Sequence, residues 1–255
     1  MTKNTKTLAI ALTVALAAAL SPSAIWGQEV CPGPAKATKC TIDNFTSGYG
    51  LVKSLTTGSE EVNQPPLPAT GSGIVDGTRS IILTSGSGAT NQFGQPTQAQ
   101  TVRKSSTNPT PALVWSNGYG NDSLLQVLYG ATGYGAAPMN LDLTQYNSDS
   151  NGRIRFTFAG AQQGVNFNVE VYDSSGAAGN DCGINLDPSL TSFTLDAPFN
   201  QFGNPDIDWG DITGILFEVQ NAFNVGAPNL AVTDIEVIAA TSSTPPATYT
   251  CSVPQ

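Results

Sequence analysis

The sequence predicts an all-β protein built as a single antiparallel β-sandwich with long Gly/Pro/Ser loops, and three observations lead there. Beyond residue 27 no stretch keeps a sustained helical period with caps, whereas short β-branched and aromatic runs recur along the whole chain. Those runs are separated by Gly, Pro, Asn, Asp and Ser, with 26 glycines and 17 prolines among 255 residues. Hydrophobic residues make up 40% and charged residues only 11%, so there is material for a sizeable core and wholesale disorder is disfavoured. Nothing in 41–240 reads as a linker between two cores, so that span is taken as one domain.

The strands are read near 40–46, 79–84, 98–103, 112–116, 123–129, 152–158, 165–172, 190–195, 213–220 and 230–238, with 56–76 and 86–97 as long surface loops. The clearest are Arg153–Phe158 and Val165–Tyr172. Ile154, Phe156 and Phe158 share one parity, as do Val165, Phe167, Val169 and Val171, and side chains alternate across a strand, so these seven face the core. Folding the two runs as a hairpin around 159–164 sets Arg155 opposite Asn168 and Arg153 opposite Glu170, on an outer face that also carries Tyr172.

The chain begins with an address. Lys3 and Lys6 precede an apolar run from Leu8 to Leu20 and a small-residue exit, the layout of a secretory signal peptide over 1–27, cut after Gly27 with Ala24 as the rival site. The run is too short to span a bilayer, which needs about 20 apolar residues, and no later segment is apolar enough. A secreted protein, extracellular or at the cell surface, is therefore expected. Removing 1–27 takes two lysines away and leaves 8 basic against 19 acidic side chains, a net charge of −11. That balance argues against nucleic acid and anionic membrane surfaces as partners.

Four cysteines, Cys31, Cys40, Cys182 and Cys251, all fall in the exported part, and an even count in an oxidising compartment points to two disulfides. Three pairings are possible. Cys31–Cys40 and Cys182–Cys251 are favoured because the N-terminal segment 28–40 and the Pro-rich tail 241–255 otherwise fray.

Two stretches at the ends of the body carry a family resemblance. Thr41-Ile42-Asp43-Asn44-Phe45-Thr46-Ser47-Gly48 opens it, and Asp208-Trp209-Gly210-Asp211-Ile212-Thr213-Gly214-Ile215-Leu216-Phe217-Glu218-Val219 with Leu230-Ala231-Val232-Thr233-Asp234-Ile235-Glu236-Val237 closes it. This resembles the galactose-binding-like jelly roll of many carbohydrate-binding modules. With Gly77-Thr78-Arg79-Ser80-Ile81-Ile82-Leu83-Thr84 it is also similar to a group of uncharacterised secreted bacterial β-sandwich proteins. The resemblance implies a jelly-roll sandwich and, in some members, a structural calcium near the paired terminal strands, for which Asp43 and Asp234 are the matching positions. Calcium needs about six to eight oxygens, so two carboxylates do not make a cage. Asp206, Asp208 and Asp211 lack the spacing of a calcium loop and read as turn and cap residues.

Histidine is absent, which removes Ser-His-Asp and Cys-His catalysis. Glu170, Glu218, Asp234 and Glu236 have outward parity, as a glycosidase pair requires, but scattered strand carboxylates are ordinary solvated faces. The chain is read as no enzyme and without a cofactor, structural calcium excepted. Three tetrapeptides, Ser47-Gly48-Tyr49-Gly50, Asn117-Gly118-Tyr119-Gly120 and Thr132-Gly133-Tyr134-Gly135, place tyrosines between glycines in turns. Rings held on loops stack on the apolar faces of sugars, although a tyrosine folded over a sheet end is the plainer alternative. Trp115 reads as core and Trp209, in a polar turn, as a binding ring. The leading expectation is a non-catalytic carbohydrate binder: Tyr49, Tyr119, Tyr134 and Trp209 stack, and Arg155, Asn168 and Tyr172 hydrogen-bond a polysaccharide or surface glycan. A self-associating surface-layer, filament or matrix subunit is the alternative, and a carboxylate-dependent glycan hydrolase the third.

Overall fold

The computed structural model describes residues 38–46, 50–55, 61–63, 67–68, 73–75, 78–85, 97–102, 110–117, 123–130, 138–146, 152–162, 165–176, 178–185, 192–221, 229–239 and 242–251. Its strands are β1 (Lys39–Asp43), β2 (Gly50–Leu55), β3 (Glu61–Asn63), β4 (Leu67–Pro68), β5 (Thr78–Ser85), β6 (Thr97–Val102), β7 (Ala112–Ser116), β8 (Ser123–Gly130), β9 (Arg153–Gln162), β10 (Val165–Asp173), β11 (Ala178–Asn185), β12 (Phe193–Pro198), β13 (Ile212–Asn221), β14 (Asn229–Ile238) and β15 (Tyr249–Thr250). A short 3-10 helix, Phe199–Gln201, follows β12. The ten expected strands are present within a few residues. The stretch expected as a loop over 56–76 contains β3 and β4, and the Pro-rich tail supplies β15, which runs parallel to β12.

Two sheets pack face to face. The first runs β15-β12-β9-β14-β7-β6-β2, with β1 also on β14, and the second runs β11-β10-β13-β8-β5-β3, with β4 on β5. Apart from β15 on β12, the pairs are antiparallel. From β7 the chain changes sheet at almost every connection, which is the jelly-roll habit. β14 anchors the first sheet: β9 pairs along its full length on one side, while β7 takes Asn229–Val232 and β1 takes Ile235–Ile238 on the other.

The expected core parity holds, since Ile154, Phe156, Phe158, Val165, Phe167, Val169 and Val171 are all fully buried. The expected hairpin does not form. β9 pairs with β12 and β14 in the first sheet, and β10 with β11 and β13 in the second. The two apolar faces meet across the sandwich instead of lying side by side. Phe156 and Phe167 touch edge to face at 4.9 Å, Phe158 stacks on Phe193 at 4.6 Å, and Phe167 stacks on Phe217 at 5.8 Å. Edge-to-face and offset rings at these separations add stabilisation beyond their buried area. Trp115 is fully buried, as read from the sequence.

One charged pair lies inside this core. Arg79 of β5 donates from Nη1 to Asp43 Oδ2 at 2.5 Å, and neither side chain is exposed. Tyr129 of β8 donates its hydroxyl to the same oxygen at 2.9 Å, and the Phe45 N–H donates to Asp43 Oδ1 at 2.7 Å. Phe45 has a positive φ of 55°, and its ring lies 5.0 Å beneath the Arg79 guanidinium carbon. A β-carbon on Gly73 would stand 2.4 Å from Asn44 Oδ1, so glycine is required where the 73–75 segment crosses this turn. Burial pushes the Asp43 carboxyl above its ordinary range, and Arg79, the Phe45 N–H and the Tyr129 hydroxyl oppose that push. Removing one member of a buried pair leaves an uncompensated charge. Asp43→Ala is therefore expected to lose about 3–5 kcal/mol in urea unfolding, and Asp43→Ala with Arg79→Met to lose less than the single variant. An equal loss in both would show that the orphaned guanidinium is not the cause.

Candidate functional site

The split of β9 and β10 between sheets also splits the expected polar platform. Asn168 and Tyr172 lie on the outward face of the second sheet, whereas Arg155 lies on the outward face of the first. There Arg155 is closed off. Its Nε and Nη2 donate to Asp196 Oδ1 and Oδ2 at 2.6 and 2.8 Å, and Arg153 Nε lies 2.9 Å from Asp196 Oδ2. At 5% exposure Arg155 is a buried, fork-bound ion-pair partner, which corrects the expectation of a ligand-facing guanidinium. The expected Arg153–Glu170 couple does not exist for the same reason: Arg153 meets Asp196, and Glu170 accepts the Tyr172 hydroxyl.

The outward face of the second sheet holds the best-organised polar row among the described residues. Register places Gln126 of β8 beside Glu218 of β13, and Glu218 beside Asn168 of β10. Gln126 Nε2 donates to Glu218 Oε1 at 2.6 Å, and Asn168 Nδ2 donates to Glu218 Oε2 at 3.2 Å. Two residues along each strand, on the same face, stand Leu128, Leu216 and Glu170 in register, and Tyr172 follows beside Gly214. Leu128, Leu216 and Ile82 are buried and form an apolar cluster of their own, with the half-buried ring of Tyr172 packed against it. A carboxylate clamped by two side-chain amides thus sits next to an aromatic ring on an apolar seat. Each amide keeps hydrogen-bonding capacity beyond the contact to Glu218.

The sequence places Asn168, Glu170 and Tyr172 on one outer face, and it offers Glu218 only as a carboxylate and gives no reading of Gln126. A signal was available. Ile81-Ile82-Leu83, Val127-Leu128-Tyr129 and Ile215-Leu216-Phe217 are apolar at both parities, which marks strands with something to bury on each face.

Trp209 does not present a free ring. Phe199 stacks on it at 4.0 Å and Phe202 meets it edge-on at 5.5 Å, so it closes one end of the core. The polar turn around it is a set of caps, as expected for the aspartates: Asp208 Oδ1 accepts from the Gly210 N–H at 2.9 Å, and Asp173 Oδ2 from the Asp208 N–H at 3.0 Å. Tyr49, Tyr119, Tyr134 and Cys31 lie outside the described residues, as does the side chain of Cys182. Cys40 and Cys251 are buried and disulfide-bonded.

Asp43 has both carboxylate oxygens engaged by Arg79, Tyr129 and the Phe45 N–H, which leaves it a poor cation ligand. Asp234 is half-buried, and burial, then the neighbouring Glu236, raise its carboxyl above the ordinary range. No group of three or more His, Cys, Asp or Glu among the described residues could hold a metal ion. Of the four strand carboxylates weighed for hydrolysis, Glu170 and Glu218 share the second sheet, while Asp234 and Glu236 lie on the first, where Glu236 pairs with Lys39 at 2.7 Å.

No family model and no curated protein matches the chain. Among solved structures it is similar to the family 11 carbohydrate-binding module from Clostridium thermocellum in complex with a β-1,3-1,4-mixed-linked tetrasaccharide, at 14% identity over 81% of this chain and 98% of that one, with a TM-score of 0.37. It is similar to the module TmCBM61 in complex with β-1,4-galactotriose, at 12% identity over 62% of this chain and 88% of that one, with a TM-score of 0.37. It is similar too to the agarase AgWH50C, at 12% identity over 51% of this chain, with a TM-score of 0.35, and it spans only 22% of that agarase. The fold and the site rest on the strands and side chains described above.

The three ion pairs described on the first sheet's outer face differ in kind. Lys39 is 59% exposed, and such pairs contribute under about 1 kcal/mol. Asp196 instead is shared by Arg153 and Arg155 at 6% side-chain exposure. Asp196→Ala is expected to lower the urea-unfolding free energy by about 3–5 kcal/mol and Glu236→Ala by under about 1 kcal/mol. Comparable losses from the two variants would overturn this ranking.

Proposed function

We propose that this chain is a secreted, non-catalytic carbohydrate-binding protein whose glycan lies along the outward face of the second sheet. The observation that carries the reading is the Gln126–Glu218–Asn168 row beside Tyr172. Sugar hydroxyls both donate and accept, and they are met best by amides and carboxylates already held in place, because little side-chain entropy is then lost on binding. An aromatic ring beside that row supplies the apolar contact that a sugar ring face needs. The turn tyrosines Tyr49, Tyr119 and Tyr134 are assigned to the same ligand as stacking rings. Export follows from the leader over 1–27, and the two disulfides are assigned as Cys31–Cys40 and Cys182–Cys251. Peptide mapping of unreduced protein checks that assignment, and a Cys40–Cys251 peptide would overturn it.

The test is retention of residues 28–255 on a panel of neutral soluble and insoluble polysaccharides, with calcium and with chelator. Binding to at least one neutral polymer is expected. In that polymer Asn168→Ala, Glu218→Ala and Tyr172→Ala should each weaken binding about tenfold or more, the effect of removing a hydrogen bond to a charged or oriented group. Loss on chelation would add a calcium site. Retention unchanged in all three variants would move the site elsewhere, and absence of retention together with concentration-dependent assembly would favour a surface or matrix subunit.

A further inference from the structure

A second concave site lies on the other sheet. A cavity of about 700 Å³ opens where the C-terminal tail passes over β9 and β12, and Arg153 and Asp196 line it together with Asn200, Gln201, Thr244 and Pro246. That volume falls in the range of small-ligand pockets, about 300–1,000 Å³. Its walls are tied to its floor. The Phe199 N–H donates to the Gly152 carbonyl at 2.8 Å, which fixes the 3-10 helix that bears Asn200 and Gln201. The Cys251 N–H donates to the Asp196 carbonyl at 2.8 Å, and Thr194 and Thr248 exchange bonds at 3.2 and 3.3 Å, which fix the tail. The cavity is therefore preformed.

Its lining carries one cation and one anion, Arg153 and Asp196. Two guanidiniums, Arg153 and Arg155, share the single carboxylate of Asp196. Arg155 occupies both oxygens with two donors, so Arg153 reaches Asp196 only through Nε. Among the described residues no other partner of Arg153 is found, and its side chain is 15% exposed. The terminal nitrogens of a guanidinium are a planar fork that matches a carboxylate in two parallel bonds. The rest of the lining is uncharged: two amides, of which Gln201 donates to Asn200 at 3.3 Å, two threonines, two prolines, Ala247 and the disulfide-bonded Cys251.

We propose that this pocket binds the carboxylate of an acidic sugar, a uronate unit, with Arg153 on the carboxylate and Asn200 and Gln201 on ring hydroxyls. The saccharide part rests on the carbohydrate-binding reading above, while the carboxylate part rests on the Arg153–Asp196–Arg155 stoichiometry. The rest of the mature chain carries net negative charge and repels polyuronate, so a local cation is needed to hold one.

The experiment is calorimetric titration of residues 28–255 with tri-galacturonate, its methyl ester and citrate. Binding of the acid, at least tenfold weaker for the ester and weakened by added salt, is the expected result. Arg153→Gln should weaken tri-galacturonate at least tenfold and leave neutral-polymer retention unchanged, with Asp196 still paired to Arg155. The exposed Asn200→Ala gives a second reading should Arg153→Gln fold poorly, with several-fold weakening expected. Equal binding of acid and ester, wild-type affinity in both variants, or no binding of the acid would each overturn the proposal. Citrate binding as tightly, through Arg153, would overturn its saccharide part. Loss of tri-galacturonate binding alongside intact neutral-polymer retention would sink this inference alone, and the reverse pattern would sink the second-sheet site alone.

Discussion

Phe156 of β9 meets Phe167 of β10 edge to face across the midplane, and the polar chemistry of both outer surfaces is set by that contact. Each strand has one apolar face, and a strand's two faces are locked to opposite parities. Once the phenylalanines of β9 and β10 face each other from different sheets, Arg153 and Arg155 must point away on one side of the molecule, and Asn168, Glu170 and Tyr172 on the other. Neighbours are then assigned by register. Arg155 receives Asp196 from β12, and Asn168 receives Glu218 from β13. The aromatic layer thus acts as a sorting device. It places cations beside a carboxylate on one face and amides beside a carboxylate on the other.

The Asp43–Arg79 pair does a different job at the edge of the same core. β1 ends at Asp43, and the chain turns through Phe45 with a positive φ before the described residues stop at Thr46. A turn of this kind leaves backbone donors inside the fold, and buried donors need partners. Asp43 accepts one of them and brings β1, β5 and β8 to a single oxygen pair. With only four arginines in the chain, three are held by aspartates inside or close to the protein interior. A low-charge chain that buries most of its guanidiniums leaves few cations to confer selectivity, and Arg153 is the described one with both a partner and a cavity.

Parity was legible from sequence, and partnership was not. The seven inward residues of β9 and β10 were read from alternation alone, because period two survives any arrangement of strands. Whether two adjacent strands form a hairpin or cross between sheets is decided by non-local packing, and the local pattern is identical for both. That single ambiguity carried Arg155 to the wrong face in the sequence reading while leaving Asn168 and Tyr172 correctly outward. Trp209 was misjudged for a related reason: its immediate neighbours in sequence are polar, but its neighbours in space are Phe199 and Phe202, earlier in the same β12–β13 connection. Asp43 and Arg79 both lay in motifs noted for their likeness to other domains, yet only distance shows that they hold each other. The outward cluster of Ile82, Leu128 and Leu216 had the clearest unread signal, in apolar triplets that demand burial on both faces of β5, β8 and β13.

The two outer faces now present opposite physics to a ligand. On the second sheet the carboxylate of Glu218 is satisfied by amides, so that surface offers directional but uncharged donors and carries the negative end of the row. A neutral polyol can replace water there without bringing a charge, whereas an anion would have to approach Glu170 and Glu218 together. On the first sheet one carboxylate serves two guanidiniums, and Arg153 and Asp196 line an open cleft. Electrostatic interactions strengthen as water is excluded, so the shielded guanidinium of Arg153 would hold an anion more strongly than an exposed lysine. The aromatic midplane thus keeps an amide-clamped carboxylate on one outer face and an aspartate shared by two arginines on the other.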